Sequence, residues 1–232
     1  MFGGYFYNQR IRKAVAVFGA LFNDINVLRK NSSGAVISQV KVPLSYSPKR
    51  DFIARLDAMN NGEEGERQIA IKLPRMSFEI VGVVYDSTRQ LPKMNNCKVT
   101  VDTGNAKKVY TPVPYILNFQ LNVYATSQDD ALQIVEQILP YFAPTYTVTV
   151  KPLDDYNDIL EDTPVTLQGV TFTDDYEAPL EQRRTIIYTL DFDMKVSLYK
   201  DIDAGSSVIN AADVEIKDLD GLPLFTTISV TD

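Results

Sequence analysis

The sequence predicts an α+β fold, a mixed and largely antiparallel sheet packed against two to three helices. Three stretches carry that expectation. In residues 184–200, Ile186, Tyr188, Leu190, Phe192, Met194, Val196 and Leu198 alternate with polar residues without a break, the period of a strand with one wet face. Residues 111–150 read as strand, capped helix, strand. Residues 7–22 place Ile11, Val15, Phe18 and Phe22 on one stripe at helical spacing.

In chain order, the first helix has Asn8 as its candidate N-cap, and Gly19 marks a close packing contact or a helix end. A hairpin follows, with residues 24–30 as one strand, Asn31-Ser32-Ser33-Gly34 as the turn and residues 36–46 as the other strand. Ser47-Pro48 opens a second helix with Phe52, Leu56 and Met59 on its apolar stripe, and residues 60–66 form an exposed loop. Residues 68–73 are a strand stopped by Pro74. In residues 76–85, Met76, Phe78, Ile80 and Val84 share one face while Val81, Val83 and Tyr85 share the other, so this strand is expected to be covered on both sides.

Residues 86–110 look like an excursion, with a short hairpin from residues 98–102 and 107–111. Residues 114–125 then form a long strand with Tyr115, Leu117, Phe119, Leu121 and Val123 on one face. Thr126-Ser127 with Asp129 and Asp130 start a helix whose apolar face is Ala131, Leu132, Ile134, Val135, Ile138 and Leu139, and Pro140 ends it. Residues 146–150 and 164–173 are further strands. Beyond Lys200, the apolar runs 208–216 and 222–230 fit a local hairpin or an arm that adds to another chain. The organisation expected is one domain over residues 1–200 and a C-terminal arm or extra hairpin over 201–232.

Composition narrows the chemistry. The 232 residues include no histidine and a single cysteine, Cys97. That removes the commonest general base, the Ser-His and Cys-His dyads, intrachain disulfides and cysteine metal clusters. One cysteine also fits assembly in a reducing cytoplasm. There is no apolar run long enough to span a bilayer. Arg10, Arg12 and Lys13 ahead of an apolar run superficially copy a secretion signal, but no small-x-small cleavage site follows and the pattern is that of an amphipathic helix.

Charge is polarised along the chain. Residues 1–60 carry a balance of +6 and residues 152–232 a balance of −13, within a net charge of −7. The acidic total argues against nucleic acid as the main partner. The polarity suits either a subunit whose basic part meets an acidic part of its neighbour or a solvated acidic tail.

Candidate catalytic groups are sparse. Asp129-Asp130, Asp154-Asp155 and Asp174-Asp175 are adjacent and diverge within extended backbone. Asp191 and Asp193 share a strand face beside Lys195, and these two are the carboxylates on which a hydrolase would have to rest. Asp201-Ile202-Asp203-Ala204-Gly205 echoes a calcium loop but lacks its spacing and terminal glutamate. Phe2-Gly3-Gly4-Tyr5 precedes no P-loop Lys-Ser pair. Arg10, Arg12 and Lys13 fit either phosphate contacts or the solvated side of a helix. No catalytic, cofactor-binding or metal residues are assigned, and no cofactor is expected.

The start Met1-Phe2-Gly3-Gly4-Tyr5-Phe6-Tyr7-Asn8, the block from Gln133 to Phe142 (QIVEQILPYF), Leu73-Pro74-Arg75, and Arg183-Arg184 ahead of the long strand resemble the tail-sheath stabiliser, or tail completion, family of T-even-type contractile-tailed bacteriophages. The resemblance covers roughly residues 1–200. It implies a tail-terminator-like fold and a non-enzymatic virion protein. Such a protein forms a hexameric ring on the head-proximal end of the tail. Implied partners are other copies of the chain, the tail tube, the tail sheath and the neck or head-completion proteins, with no membrane and no specific nucleic acid. The implied location is the tail–neck junction of a virion assembled in the host cytoplasm. Alternative readings are another head–tail connector or baseplate subunit and, more remotely, the carboxylate hydrolase.

Overall fold

A computed structural model describes residues 5–31, 34–51, 73–92, 96–102, 105–153, 160–175, 185–200, 203–207, 213–214 and 228–229. The chain divides into two compact units. The larger holds residues 7–90 and 114–198; the smaller holds residues 1–6, 91–113 and 199–232.

The larger unit is built on a six-stranded sheet. Its strands are β3 (Leu44–Tyr46), β4 (Arg75–Tyr85), β7 (Val113–Ala125), β8 (Thr145–Val150), β9 (Glu161–Asp175) and β10 (Thr185–Leu198), in the order β3-β4-β7-β10-β9-β8. β3 runs parallel to β4, whereas β4 with β7, β10 with β9, and β8 with β9 are antiparallel. Asn118, Gln120 and Asn122 of β7 meet Asp193, Asp191 and Thr189 of β10 in descending order, as they must when two strands run in opposite directions. This is the mixed, largely antiparallel α+β sheet that the alternation predicts.

One face of the sheet is apolar. Phe119, Leu121 and Val123 of β7, Leu190, Phe192 and Met194 of β10, and Met76 and Phe78 of β4 are buried there. Two helices close that face: α1 (Arg10–Leu21) and α2 (Gln128–Ile138). Phe18 is the keystone of α1. Its ring stacks on Phe119 at a centroid distance of 4.3 Å and lies within 5.4 Å of Phe22, Phe78 and Phe192. Gly19 is the predicted close contact, since a Cβ there would lie 3.1 Å from the Phe78 ring.

Phe18 and Phe22 are buried as expected, but the start of the buried stripe of α1 is not the expected one. Arg10, Ala14 and Phe18 face inward, while Ile11 is exposed and Val15 only partly buried. The reason is Arg10, whose charge is satisfied inside the protein by Glu161. The helix also starts later than expected. Gln9 takes the N-cap position in the left-handed region (φ 52°) instead of Asn8, and the first helical bond runs from Lys13 N–H to Gln9 carbonyl.

The expected hairpin exists as β1 (Asn26–Lys30) and β2 (Val36–Lys41), paired from Asn26↔Lys41. Its second strand does not continue to residue 46. Val42 N–H still donates to the Ile25 carbonyl at 2.9 Å, the ladder stops at Pro43, and β3 joins the six-stranded sheet instead. Residues 49–51 are helical, as the Ser47-Pro48 start predicts. The remaining length of that helix, the 60–66 loop and the 68–72 strand lie outside the described residues.

Two further expectations are corrected by bulges and packing. β4 is not covered on both sides: Val81, Val83, Val84 and Tyr85 are exposed in this chain. The pairing with β7 slips between Ile80 and Gly82, so one extra residue flips the alternation and moves Val84 off the Met76–Phe78 face. In α2, Asp130, Ala131, Ile134, Val135 and Ile138 are buried, whereas Leu132 and Leu139 lie at the surface. Pro140 sits in a 3₁₀ turn (Leu139–Tyr141) that ends the helix.

In the smaller unit, β5 (Asn96–Asp102) and β6 (Asn105–Tyr110) pair antiparallel, and β11 (Asp203–Ser207) adds to β6. β12 (Asp213–Val214) pairs with β13 (Ile228–Ser229). The rest of the two apolar runs beyond residue 207 lies outside the described residues.

Candidate functional site

Asp191 and Asp193, the pair on which carboxylate chemistry would rest, belong to a polar ladder on the second face of the sheet. That face is less wet than the alternation suggests, since none of Thr189, Asp191, Asp193, Lys195 and Ser197 is fully exposed. Asn118 Nδ2 donates to Asp193 Oδ1 at 2.5 Å and Gln168 Nε2 donates to Asp193 Oδ2 at 2.7 Å. Gln120 Nε2 donates to Asp191 Oδ1 at 3.0 Å. On the next rung, Thr189 donates to Asn122 Oδ1 at 2.9 Å and accepts from Lys49 Nζ at 3.4 Å, while Lys49 N–H donates to Glu79 at 2.9 Å. Amide donors therefore hold both oxygens of Asp193 and tie β7, β10 and β9 together. Gly82 is part of this fit: a Cβ there would stand 3.1 Å from Asn118 Oδ1. The Asn118–Asp193 rung also lies between two bulges, at Val81 in β4 and Gln168 in β9, which curl the sheet around it.

The other acidic candidates are spread out. Asp129 accepts from Gln133, four residues on in the same helix. Asp130, buried, pairs with Arg29 of β1 at 3.5 Å. Asp154 and Asp155 lie outside the described residues, as do Asp201 and Ile202. Asp174 and Asp175 end β9 and Asp203 begins β11. Among the described residues, no group of three His, Cys, Asp or Glu side chains is placed to hold a metal ion. No helix among them is long and apolar enough to cross a membrane. Arg10, one of the candidate phosphate contacts, is buried in its ion pair with Glu161, whereas Arg12 is exposed.

Among the described residues, two groups titrate away from their usual ranges. The Asp86 carboxyl is lowered to about 2, first by the Thr88 hydroxyl and then by the Arg89 guanidinium, with the Thr88 N–H adding to both. The Tyr124 phenol is raised to about 12 by burial, against the opposing pull of its hydrogen bond with Ser77. Both shifts follow from local packing and ion pairing.

Surfaces are the more informative feature. A groove of about 530 Å³ lies where the C-terminal ends of α1 and α2 meet the start of β8. Phe22, Phe142 and Tyr146 form its aromatic wall, with ring centroids 6.0 Å apart from one to the next, and Tyr141 stands at its lip 70% exposed. Asp24 and Glu136 lie on its rim. β8 itself is an outer strand of the sheet, and most of its residues are exposed. β2 presents Val36 and Ile37 to solvent, and the end of β4 presents Val81, Val83, Val84 and Tyr85. Tyr5, Phe6 and Tyr7 are three successive exposed aromatics. Open strand edges and apolar patches of this kind require covering, and association is a common way to cover them.

α2 does more than roof its sheet. Gln133 Oε1 accepts from Leu28 N–H at 3.1 Å, and Gln137 Nε2 donates to Asn26 carbonyl at 2.8 Å. Four residues apart, the two glutamines lie on one helix face and satisfy the inner edge of β1, leaving β2 as the outer edge of the ribbon.

A family model described as the T4-like virus Myoviridae tail sheath stabiliser matches residues 5–228. The tail completion protein gp15 of Enterobacteria phage T4 is 28% identical over 210 residues, which cover 89% of this chain and 76% of that protein. Among solved structures, the sheath/tube terminator of an extracellular contractile injection system, PVC, in its extended state aligns with a TM-score of 0.36 at 12% identity. That alignment covers 93% of this chain and 65% of the terminator chain.

Proposed function

The chain belongs to the T4-like virus Myoviridae tail sheath stabiliser family, and from that premise we propose that it acts, without catalysis, as a ring on the head-proximal end of a contractile phage tail. Its role as a tail completion and sheath-stabilising protein of the virion follows from the family. The ring, the capped tube, the sheath contact and the junction with neck or head-completion proteins are the finer parts of the proposal.

The observation that carries it is the family match across residues 5–228. Physical features support it. β8 and β2 offer open edges, the groove and the exposed aromatics offer apolar surface, and heterologous contacts between identical subunits close such surfaces into rings. A terminator must present different faces to the tail and to the neck. The +6 and −13 ends of the chain supply a source of that difference. On this reading the stretch after Lys200 serves as an arm to a neighbouring chain.

Light scattering with negative-stain imaging of the purified protein tests the ring. The expected result is a closed oligomer that decorates the ends of tail tubes. A strict monomer at high concentration, with no ring on tube ends, contradicts it.

A further inference from the structure

We propose that the aromatic segment Tyr5-Phe6-Tyr7 of one copy seats in the groove of the next copy, against the wall formed by Phe142 and Tyr146. The proposal deepens the ring reading above and rests on it.

The segment is unusual for a solvated chain. Tyr5 is 94% exposed and is followed by Phe6 and Tyr7 at 50% and 59%. The groove is its chemical match: an open recess of about 530 Å³ with three aromatic rings along one wall. Aromatic side chains in such a recess bury large areas and meet ring edges and faces at favourable distances. Charge points the same way. Arg12 follows the segment by about a turn of helix and is exposed, and Glu136 is an exposed carboxylate on the groove rim beside Asp24, which pairs with Lys41.

Chain length assigns the occupant to a second copy. The groove begins at Leu21 and Phe22, at the far end of α1, and twelve helical residues span about 18 Å. Phe6 and Tyr7 precede Arg10 by only four and three residues, a reach of roughly 10–14 Å even when fully extended. Only a fully extended segment doubled back along the whole of α1 brings one of these rings near its own groove, whereas a neighbour's segment can enter it directly. A contact between one patch on one copy and a different patch on the next is head-to-tail, the geometry that closes rings.

Site-directed cross-linking tests the contact. In a Cys97→Ser background, a Phe6→Cys chain mixed with a Tyr141→Cys chain should form a disulfide between the two chains under oxidising conditions. In parallel, Tyr5→Ala/Phe6→Ala/Tyr7→Ala should raise the concentration needed for assembly by about tenfold or more, with the thermal midpoint of the dissociated chain unchanged. An oligomer that yields no inter-chain cross-link, or that assembles at the same concentration with the three alanines, overturns the arm contact and leaves the ring standing. A wild-type protein that sediments as a monomer and gives no cross-link contradicts the ring as well.

Discussion

Arg10, in the first turn of α1, donates through Nη2 to Glu161 Oε2 at 2.5 Å and through Nε to the Ser197 carbonyl at 3.1 Å. The side chains are 6% and 16% exposed, so the pair is largely withdrawn from water. It pins the start of α1 to β9 and β10, through partners 151 and 187 residues away in sequence. Removing one partner leaves a buried charge unpaired. Arg10→Met is therefore expected to cost about 3–5 kcal/mol, and Arg10→Met with Glu161→Leu much less. Urea unfolding midpoints at unchanged m-value check both.

Phe18 makes four aromatic contacts at the centre of the core and is fully buried. Phe18→Ala should destabilise by about 3–5 kcal/mol, through lost transfer energy and the cavity left behind. Differential scanning calorimetry reads this as a fall in Tm. A loss below about 1 kcal/mol would mean that α1 does not pack on the sheet as described.

The polar ladder predicts coupling rather than chemistry. Asp193→Ala leaves the amides of Asn118 and Gln168 without their acceptor, at a cost of about 1–3 kcal/mol. A double-mutant cycle of Asn118→Ala with Asp193→Ala should return an interaction energy of about 0.5–3 kcal/mol. A coupling near zero contradicts the assignment of Asp193 as a cross-strand tie.

Stability should respond to pH at both extremes. Asp86 has a folded-state value near 2, below its ordinary 3.8. Its contribution is therefore complete above about pH 4 and lost as pH falls through 2. Tyr124 has a folded-state value near 12, above its ordinary 10.0. The buried phenol favours the neutral form, so stability is kept below pH 10 and lost as pH rises towards 12. Asp86→Asn should flatten the acid limb of a stability–pH curve, and Tyr124→Phe the alkaline limb.

Much of the larger unit is written in local pattern. β10, β7, α2 and β8 follow from alternation, from the acids at the start of α2 and from Pro140, because each depends on residues close in sequence. What the pattern misses depends on distant partners. The buried face of α1 turns towards Arg10 because Glu161 waits there, and nothing near Arg10 in sequence announces it. Val84 changes sides because of a bulge at Val81, and Gln168 reaches Asp193 because of another; bulges carry no signal in alternation until pairing is known. The open surfaces were legible only in part. Tyr5, Phe6 and Tyr7 lie in a stretch that resembles the family, but their exposure is not written there, and the groove needs α1, α2 and β8 brought together. The block from Gln133 to Phe142 carried part of the family resemblance, and its two glutamines prove to hold the edge of β1.

Cryo-electron microscopy of a purified contractile-tailed particle decides where on the tail the protein sits. Density for this chain is expected as a single ring at the head-proximal end of the tail, in contact with the last layer of sheath. Density at the baseplate, repeated density along the sheath, or a particle from which the chain is missing would contradict that placement.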